Sequence, residues 1–284
     1  MMYHTVKTIT ATIIEFMLPE SFFKKSMFLL PFMLVLMGMA VAQENNVNQK
    51  DEDGLRQGRW VGHFSNGNLR YEGNFVDNEP VGVFKYYYPD GPLRAELKHL
   101  EEEENMVKAT FYHKNRQIMA EGFFDNRKKQ GLWRFFNRQG RLMAENYYHQ
   151  DENHGVWKAY YPSGQLAEKV TWHYGEKEGP WKRFFESGIP RLITNHQNDK
   201  LSGDYELFYD NGNAALKAFH KENQPHQTWK YYSPAGELEK VIEYDMGKIL
   251  DRTVYIERDE EETIPLYPEG YNPAEEMMDS PFGW

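Results

Sequence analysis

A glycine-and-aromatic phrase returns through this chain at a fixed step, and it constrains the fold more than any other feature. Residues 131–142 read GLWRFFNRQGRL, residues 155–166 read GVWKAYYPSGQL, and residues 179–190 read GPWKRFFESGIP. Taking the aromatic of G-x-W as the anchor, it falls at Trp60, Phe84, Trp133, Trp157, Trp181, Tyr205 and Trp229, at intervals of 24, 49, 24, 24, 24 and 24. The long interval holds one degenerate unit with a one-residue insertion. Its anchor slot is Ala109, and Phe111, Tyr112 and Ile118 align with Phe135, Phe136 and Leu142. Eight units therefore run from about Gly58 to Gly247. A period of this length is the mark of a repeat array, in which one unit cannot bury its own apolar face and neighbours complete it.

Each unit has the same grammar. Glycine stands two places before the anchor (Gly58, Gly82, Gly131, Gly155, Gly179, Gly203) and seven after it (Gly67, Gly91, Gly140, Gly164, Gly188, Gly212, Gly236). Turn formers precede the second glycine, as in Pro89-Asp90-Gly91, Pro162-Ser163-Gly164 and Asp210-Asn211-Gly212. Glycine there takes a positive φ without steric cost, as a tight hairpin requires. The flanks are short, aromatic and β-favouring. Each unit reads as a β-hairpin, with polar loops such as HQDENHG and GEKEG joining neighbours.

Strand alternation assigns the faces. The anchor shares a side with anchor+2 and anchor+4. Anchor+9 is Leu or Ile at Leu69, Leu93, Ile118, Leu142, Leu166 and Leu238, with Leu192 and Leu216 two places on in the other two units. Anchor+15 is aromatic or histidine throughout: Phe75, His99, Phe124, Tyr148, Trp172, His196, His220 and Tyr244. These positions are expected to form the core face. The opposite face carries rings at anchor+3 (Tyr87, Tyr112, Phe136, Tyr160, Phe184, Phe208, Tyr232) and cations at anchor+1 (Lys85, Arg134, Lys158, Lys182, Lys230). Their plain role is structural, cross-strand rings stabilising a sheet under lysine stems. Their functional reading is a linear binding surface for sugar, peptide or anionic polymer.

The G-x-W-x-x-Y-Y-x-x-G-x-L pattern resembles the MORN-repeat variant family, which includes YwqK-like bacterial proteins labelled antitoxins. The resemblance covers about Gly58 to Gly247. It implies an all-β protein, an elongated twisted antiparallel sheet of tandem 24-residue hairpins, serving interaction and scaffolding rather than chemistry. It also implies a second reading, an antitoxin or immunity protein that neutralises a partner protein.

The N-terminus reads as an address. Lys24 and Lys25 precede the sixteen-residue apolar run Met27 to Ala42, which ends in Ala40-Val41-Ala42 before Gln43. This is the pattern of a signal peptide cleaved after Ala42. The alternative is an uncleaved anchor, but the run is short against the ~20 residues of a membrane span. The segment before Lys24 is long for a leader, so translation is expected to start near Met17, with residues 1–16 a gene-start artefact. The expected organisation is a leader at 1–42, a polar linker at 43–57, the array at 58–248 and a closing region at 249–284. In that region Thr253 to Ile256 form a capping strand, and a flexible tail follows, acidic at Asp259–Glu262 and broken by Pro265, Pro268, Pro273 and Pro281. Export to the periplasm or beyond follows, with no transmembrane span in the mature chain.

Composition bounds the rest. The chain of 284 residues has a formal charge of −10, which argues against nucleic acid as a partner. It has no cysteine, hence no disulfide, thiolate metal site, cysteine nucleophile or lipidated cysteine. The histidines at anchor+15 take a slot that other units fill with Phe, Tyr or Trp, and no metal-binding spacing accompanies them. No cofactor, metal or catalytic group is expected. The sequence describes a non-catalytic exported module that binds a protein or an envelope polymer, a carbohydrate-binding envelope protein being a third class.

Overall fold

The computed structural model describes residues 47–257 apart from 102 and 104. The leader, its cleavage site and the tail beyond Glu257 lie outside the described residues. Within them the secondary structure is all β: β1 (Gln49–Lys50), β2 (Arg56–His63), β3 (Leu69–Val76), β4 (Glu79–Tyr87), β5 (Leu93–His99), β6 (Met106–Tyr112), β7 (Ile118–Asp125), β8 (Lys128–Phe136), β9 (Leu142–His149), β10 (Glu152–Asn153), β11 (Gly155–Tyr160), β12 (Leu166–His173), β13 (Glu176–Phe184), β14 (Pro190–Gln197), β15 (Lys200–Phe208), β16 (Ala214–Lys221), β17 (Gln224–Tyr232), β18 (Leu238–Asp245) and β19 (Lys248–Val254). Strands pair antiparallel with their chain neighbours in one open sheet, β10 and β11 both against β9.

Two kinds of turn alternate. At the second glycine, as at Gly164, the Gly164 N–H donates to Tyr161 C=O at 2.8 Å and the Tyr161 N–H to Gln165 C=O at 2.8 Å. With φ +91° at Gly164, this is a three-residue hairpin loop ending in a left-handed residue. In the degenerate unit Arg116 takes that role at φ 69° and keeps the same bonds. A left-handed non-glycine residue costs roughly 1–2 kcal/mol.

Apart from the longer connection between His99 and Met106, the connections expected as polar loops are instead tight turns between paired strands. Asp77–Asn78, Asn126–Arg127, Gln150–Asp151, Tyr174–Gly175, Asn198–Asp199, Glu222–Asn223 and Met246–Gly247 all have positive φ at both residues, the signature of type I′ turns. Their twist matches that of the strands they join, so the strands run on to the turn and no loop is left.

The glycine before each anchor is also explained. It has positive φ inside a strand and marks a bulge: the four-residue step Val81→Lys85, containing Gly82, faces the two-residue step Asn74→Glu72. Where Val107 replaces that glycine, β5 and β6 pair with no register shift. A second bulge sits on the return strand in all eight hairpins. In one of them Ala159 pairs with Glu168 but Tyr160 pairs with Leu166.

That second bulge corrects the face assignment. It sets the anchor+9 residues opposite the anchor+3 rings, as in Phe136 with Leu142 and Tyr232 with Leu238. The buried row on the return strand is anchor+11 instead: Ala95, Ala120, Ala144, Leu192 and Leu216 are each at most 4% exposed. The core alternates large and small. Anchor rings face small residues, as Trp133 faces Asn146, Trp181 faces Thr194 and Tyr205 faces Ala218. Trp133 is 1% exposed, 4.9 Å from Phe124 between ring centres, and its Nε1–H donates to Phe123 C=O at 3.0 Å.

Successive hairpins are laced at both ends. On one side the Tyr88, Tyr161 and Tyr209 hydroxyls donate to the backbone carbonyls of Tyr112, Phe184 and Tyr232, one unit on. On the other, the turn amides of Asp151, Asp199 and Asn223 donate to Lys129, Lys177 and Leu201, one unit back. At the far end, the closing strand starts earlier than the expected Thr253–Ile256, shares Thr253 and Val254 with it and stops at Val254, and each of its residues is exposed.

The anchor+15 histidines pack as rings. His196 lies 5.4 Å from Trp181, and His220 lies 4.9 Å from Tyr205 and 5.0 Å from Trp229, each histidine being 7% exposed. Burial pushes both imidazoles below the ordinary histidine range, and the Nδ1 of each meets no hydrogen-bond partner. A depressed folded value favours the neutral ring, so its contribution to stability is complete above about pH 6.5 and fades as pH falls. His220→Phe is therefore expected to lose less stability than the parent between about pH 7.5 and 5 by urea denaturation. An identical loss in both proteins would show that His220 is not a source of acid sensitivity.

Candidate binding face

The anchor+1 cations lie in one straight row that crosses the whole sheet, one residue per strand. From β3 it reads Glu72, Lys85, Glu96, Thr110, Glu121, Arg134, Glu145, Lys158, Lys169, Lys182, Ile193, Glu206, Lys217, Lys230, Val241 and Thr253, each residue directly opposite the next. The members on return strands occupy anchor+12, a position whose chemistry sequence reasoning passed over. Compiling it would have shown Glu72, Glu96, Glu121 and Glu145 in the first four units, then Lys169, Ile193, Lys217 and Val241.

The row thus has two halves. In the first, cations and carboxylates neutralise one another. Lys85 reaches Glu96 at 3.9 Å, Arg134 sits 3.6 Å from Glu121 and 3.3 Å from Glu145, and Lys158 is 3.5 Å from Glu145. In the second, lysine faces lysine at two places, while Glu206 is the one carboxylate of that half and stands opposite Lys217. Lys169 stands between Lys158 and Lys182, and Lys217 is opposite Lys230. Among the described residues no carboxylate lies within ion-pairing distance of Lys169, Lys182, Lys217 or Lys230. Like charges placed directly opposite across strands are destabilising.

The anchor+3 rings form the next row along. Tyr87, Tyr112, Phe136, Tyr160, Phe184, Phe208 and Tyr232 are all half-buried, each beside its anchor+9 partner. Hydroxyls appear mainly where a carboxylate waits one strand back. Tyr87 donates to Glu72 at 2.6 Å, Tyr112 to Glu96 at 2.8 Å and Tyr160 to Glu145 at 2.9 Å. Burial, and then the bond to the carboxylate, pushes each of these phenols up to about 12. Glu72 and Glu145 move the other way. Burial raises Glu145, but the Tyr160 and Arg134 hydrogen bonds and the Lys158 charge outweigh it and hold it low. Phe184 and Phe208 follow Lys169 and Ile193, where no carboxylate would receive a hydroxyl. The structure thus brings the twelve ring and cation positions onto one face, with the rings bound partly into the sheet.

An open cavity of about 620 Å³ adjoins this face at the hairpin tips, lined by Arg141, Leu142, Tyr160, Pro162, Ser163 and Gly164. No group of three His, Asp or Glu side chains suited to a metal ion occurs among the described residues.

A single antiparallel meander of laced hairpins, with a ruled row of charge on one face, defines a repeat protein of the hairpin-array class. Residues 56–77 and 153–174 match the model of the MORN repeat variant. Those two units are thus similar to MORN-variant repeats. No curated protein matches it. Among solved structures it is similar to TarM, with TM-score 0.25 and 13% identity over 32% of this chain and 18% of that one. It is also similar to TcdB2-TccC3-TEV, with TM-score 0.21 and 10% identity over 76% of this chain and 14% of that one. The chain therefore spans less than a fifth of the length of either.

Proposed function

We propose that the protein is an exported, non-catalytic interaction module of a bacterial envelope that holds its partner on the face of ring and charge rows. The observation that carries this reading is the second half of the charge row, where lysines stand opposite lysines at a cost to the fold. A row that served the sheet alone would continue the Lys–Glu alternation of the first half. Joint replacement of Lys158, Tyr160, Lys182 and Phe184 by alanine is expected to weaken binding of partners captured from the host envelope fraction by at least about tenfold, a loss of ~1.4 kcal/mol. Unchanged affinity for every such partner would remove this face from consideration. Export rests on the leader motif. A chain beginning at Gln43 in the periplasm or medium, identified by peptide mass spectrometry, supports it. An intact N-terminus in the cytoplasm would overturn it and favour the antitoxin reading.

A further inference from the structure

We infer that Lys158, Lys169 and Lys182, with the open cavity beside Tyr160, form a site for a linear acidic polysaccharide whose chain runs across the strands. This rests on the reading of the face given above and narrows it to one segment and one ligand class.

Four observations converge on β11–β13. The three lysines are consecutive members of the charge row, and only Lys158 has a carboxylate near it, Glu145 at 3.5 Å. Their positive charge is therefore largely unspent, and charge complementarity calls for an anion. Second, the charges follow the row, perpendicular to the strands and spaced by the strand separation of about 4.8 Å. The inner strands already use their backbone groups on both sides, so a ligand here meets side chains only. An extended peptide presents same-side carboxylates every ~6.6–6.8 Å and falls out of step within three positions. An extended uronate chain advances by close to one strand spacing per unit, and with alternate units turned over its same-side carboxylates recur at about two strand spacings, in step with Lys158 and Lys182.

Third, rings flank the charges one register step away. Tyr160 and Phe184 are half-buried, leaving part of each surface for the apolar face of a pyranose. Fourth, the cavity of about 620 Å³ opens beside Tyr160 on this face, with Arg141 and Ser163 on its wall, giving room for a ring-sized unit rather than a bare anion. Arg141 is held there by donating from one terminal nitrogen to Pro162 C=O at 2.9 Å.

The test is titration of the chain with polygalacturonate, with dextran as the neutral glycan and poly-L-glutamate as the acidic peptide. Polygalacturonate is expected to bind, dextran not, and poly-L-glutamate at least about tenfold more weakly. Lys169→Gln/Lys182→Gln breaks no ion pair and relieves like-charge apposition, so it is expected to fold at least as stably as the parent. It should nevertheless lose about tenfold in polygalacturonate affinity, as two exposed charge contacts would give. Lys169→Arg/Lys182→Arg should retain binding.

Absence of polygalacturonate binding, or undiminished binding by the glutamine variant, overturns the inference. So does equal affinity for poly-L-glutamate, which would make the site one for acidic peptide. A tenfold gain on Glu260→Gln/Glu261→Gln/Glu262→Gln would also overturn it, by assigning the lysines to the chain's own acidic segment. If the glutamine variant is silent while the fourfold alanine variant still loses its envelope partner, the face stands and the acidic-polysaccharide assignment does not. If both are silent, the face itself is wrong.

Discussion

Trp133→Ala is expected to destabilise the protein by about 3–5 kcal/mol, the usual cost of emptying a buried aromatic site. The indole is 1% exposed and packs with Phe111, Phe124 and Phe135, so no solvent-facing side chain can swing in to fill the space. The change also strips Phe123 C=O of the indole N–H. In a linear array the damage is local, because each hairpin contacts only its neighbours. Urea denaturation should show a lowered midpoint. Amide exchange should accelerate in β6–β9, around the lost ring, and remain near parental in β17–β18. Uniform acceleration along the whole sheet would contradict the nearest-neighbour picture. A loss under about 1 kcal/mol would contradict the assignment of Trp133 as the centre of that cluster.

The second large effect comes from the smallest side chain. Gly122 lies under the Trp133 ring, and a Cβ placed on it would come 2.4 Å from Cδ2 and 2.5 Å from Cε2 of the indole. The ring is wedged on its other sides and cannot retreat by the required ångström. Gly122→Ala is thus expected to cost about 1–3 kcal/mol, the range for overpacking a filled core. The cause is separable by a double-mutant cycle. With Trp133 replaced by alanine the added methyl meets empty space, and the cost should largely vanish. If Gly122→Ala costs as much in that background, the indole is not what the methyl strikes. Gly164 makes a useful contrast. Nothing lies within 4 Å of its virtual Cβ, yet its φ of +91° makes any substitution strained. One glycine is required by packing, the other by backbone conformation.

That difference bears on what could be read in advance. The turn glycines were legible because their reason is local. A positive φ in a three-residue loop needs glycine whatever surrounds it, and the Pro-Ser-Gly and Asp-Asn-Gly spellings announce it. Gly122 was not legible. Its reason is a ring on the neighbouring strand, eleven residues away in sequence, which only the register brings over it. The type I′ turns at Gln150–Asp151 and Glu222–Asn223 were likewise hidden, since their residues spell polar loop as readily as tight turn. The misplaced leucines have a similar cause. Alternation counts residues along a strand, and a bulge adds one without announcing it, so Leu166 arrives opposite Tyr160 rather than beside the anchor row.

For the candidate face, the sequence by itself determined the period, the hairpins and the side on which Lys158, Tyr160, Lys182 and Phe184 emerge, because period-two alternation is a property of the strand alone. Only the tertiary structure decided which residue faces each of them. Register is a relation between strands, fixed jointly by turn geometry, bulges and the burial of one face. It set Glu145 beside Lys158 and Lys169 between two lysines, and so divided one row of similar positions into a neutral half and a charged one.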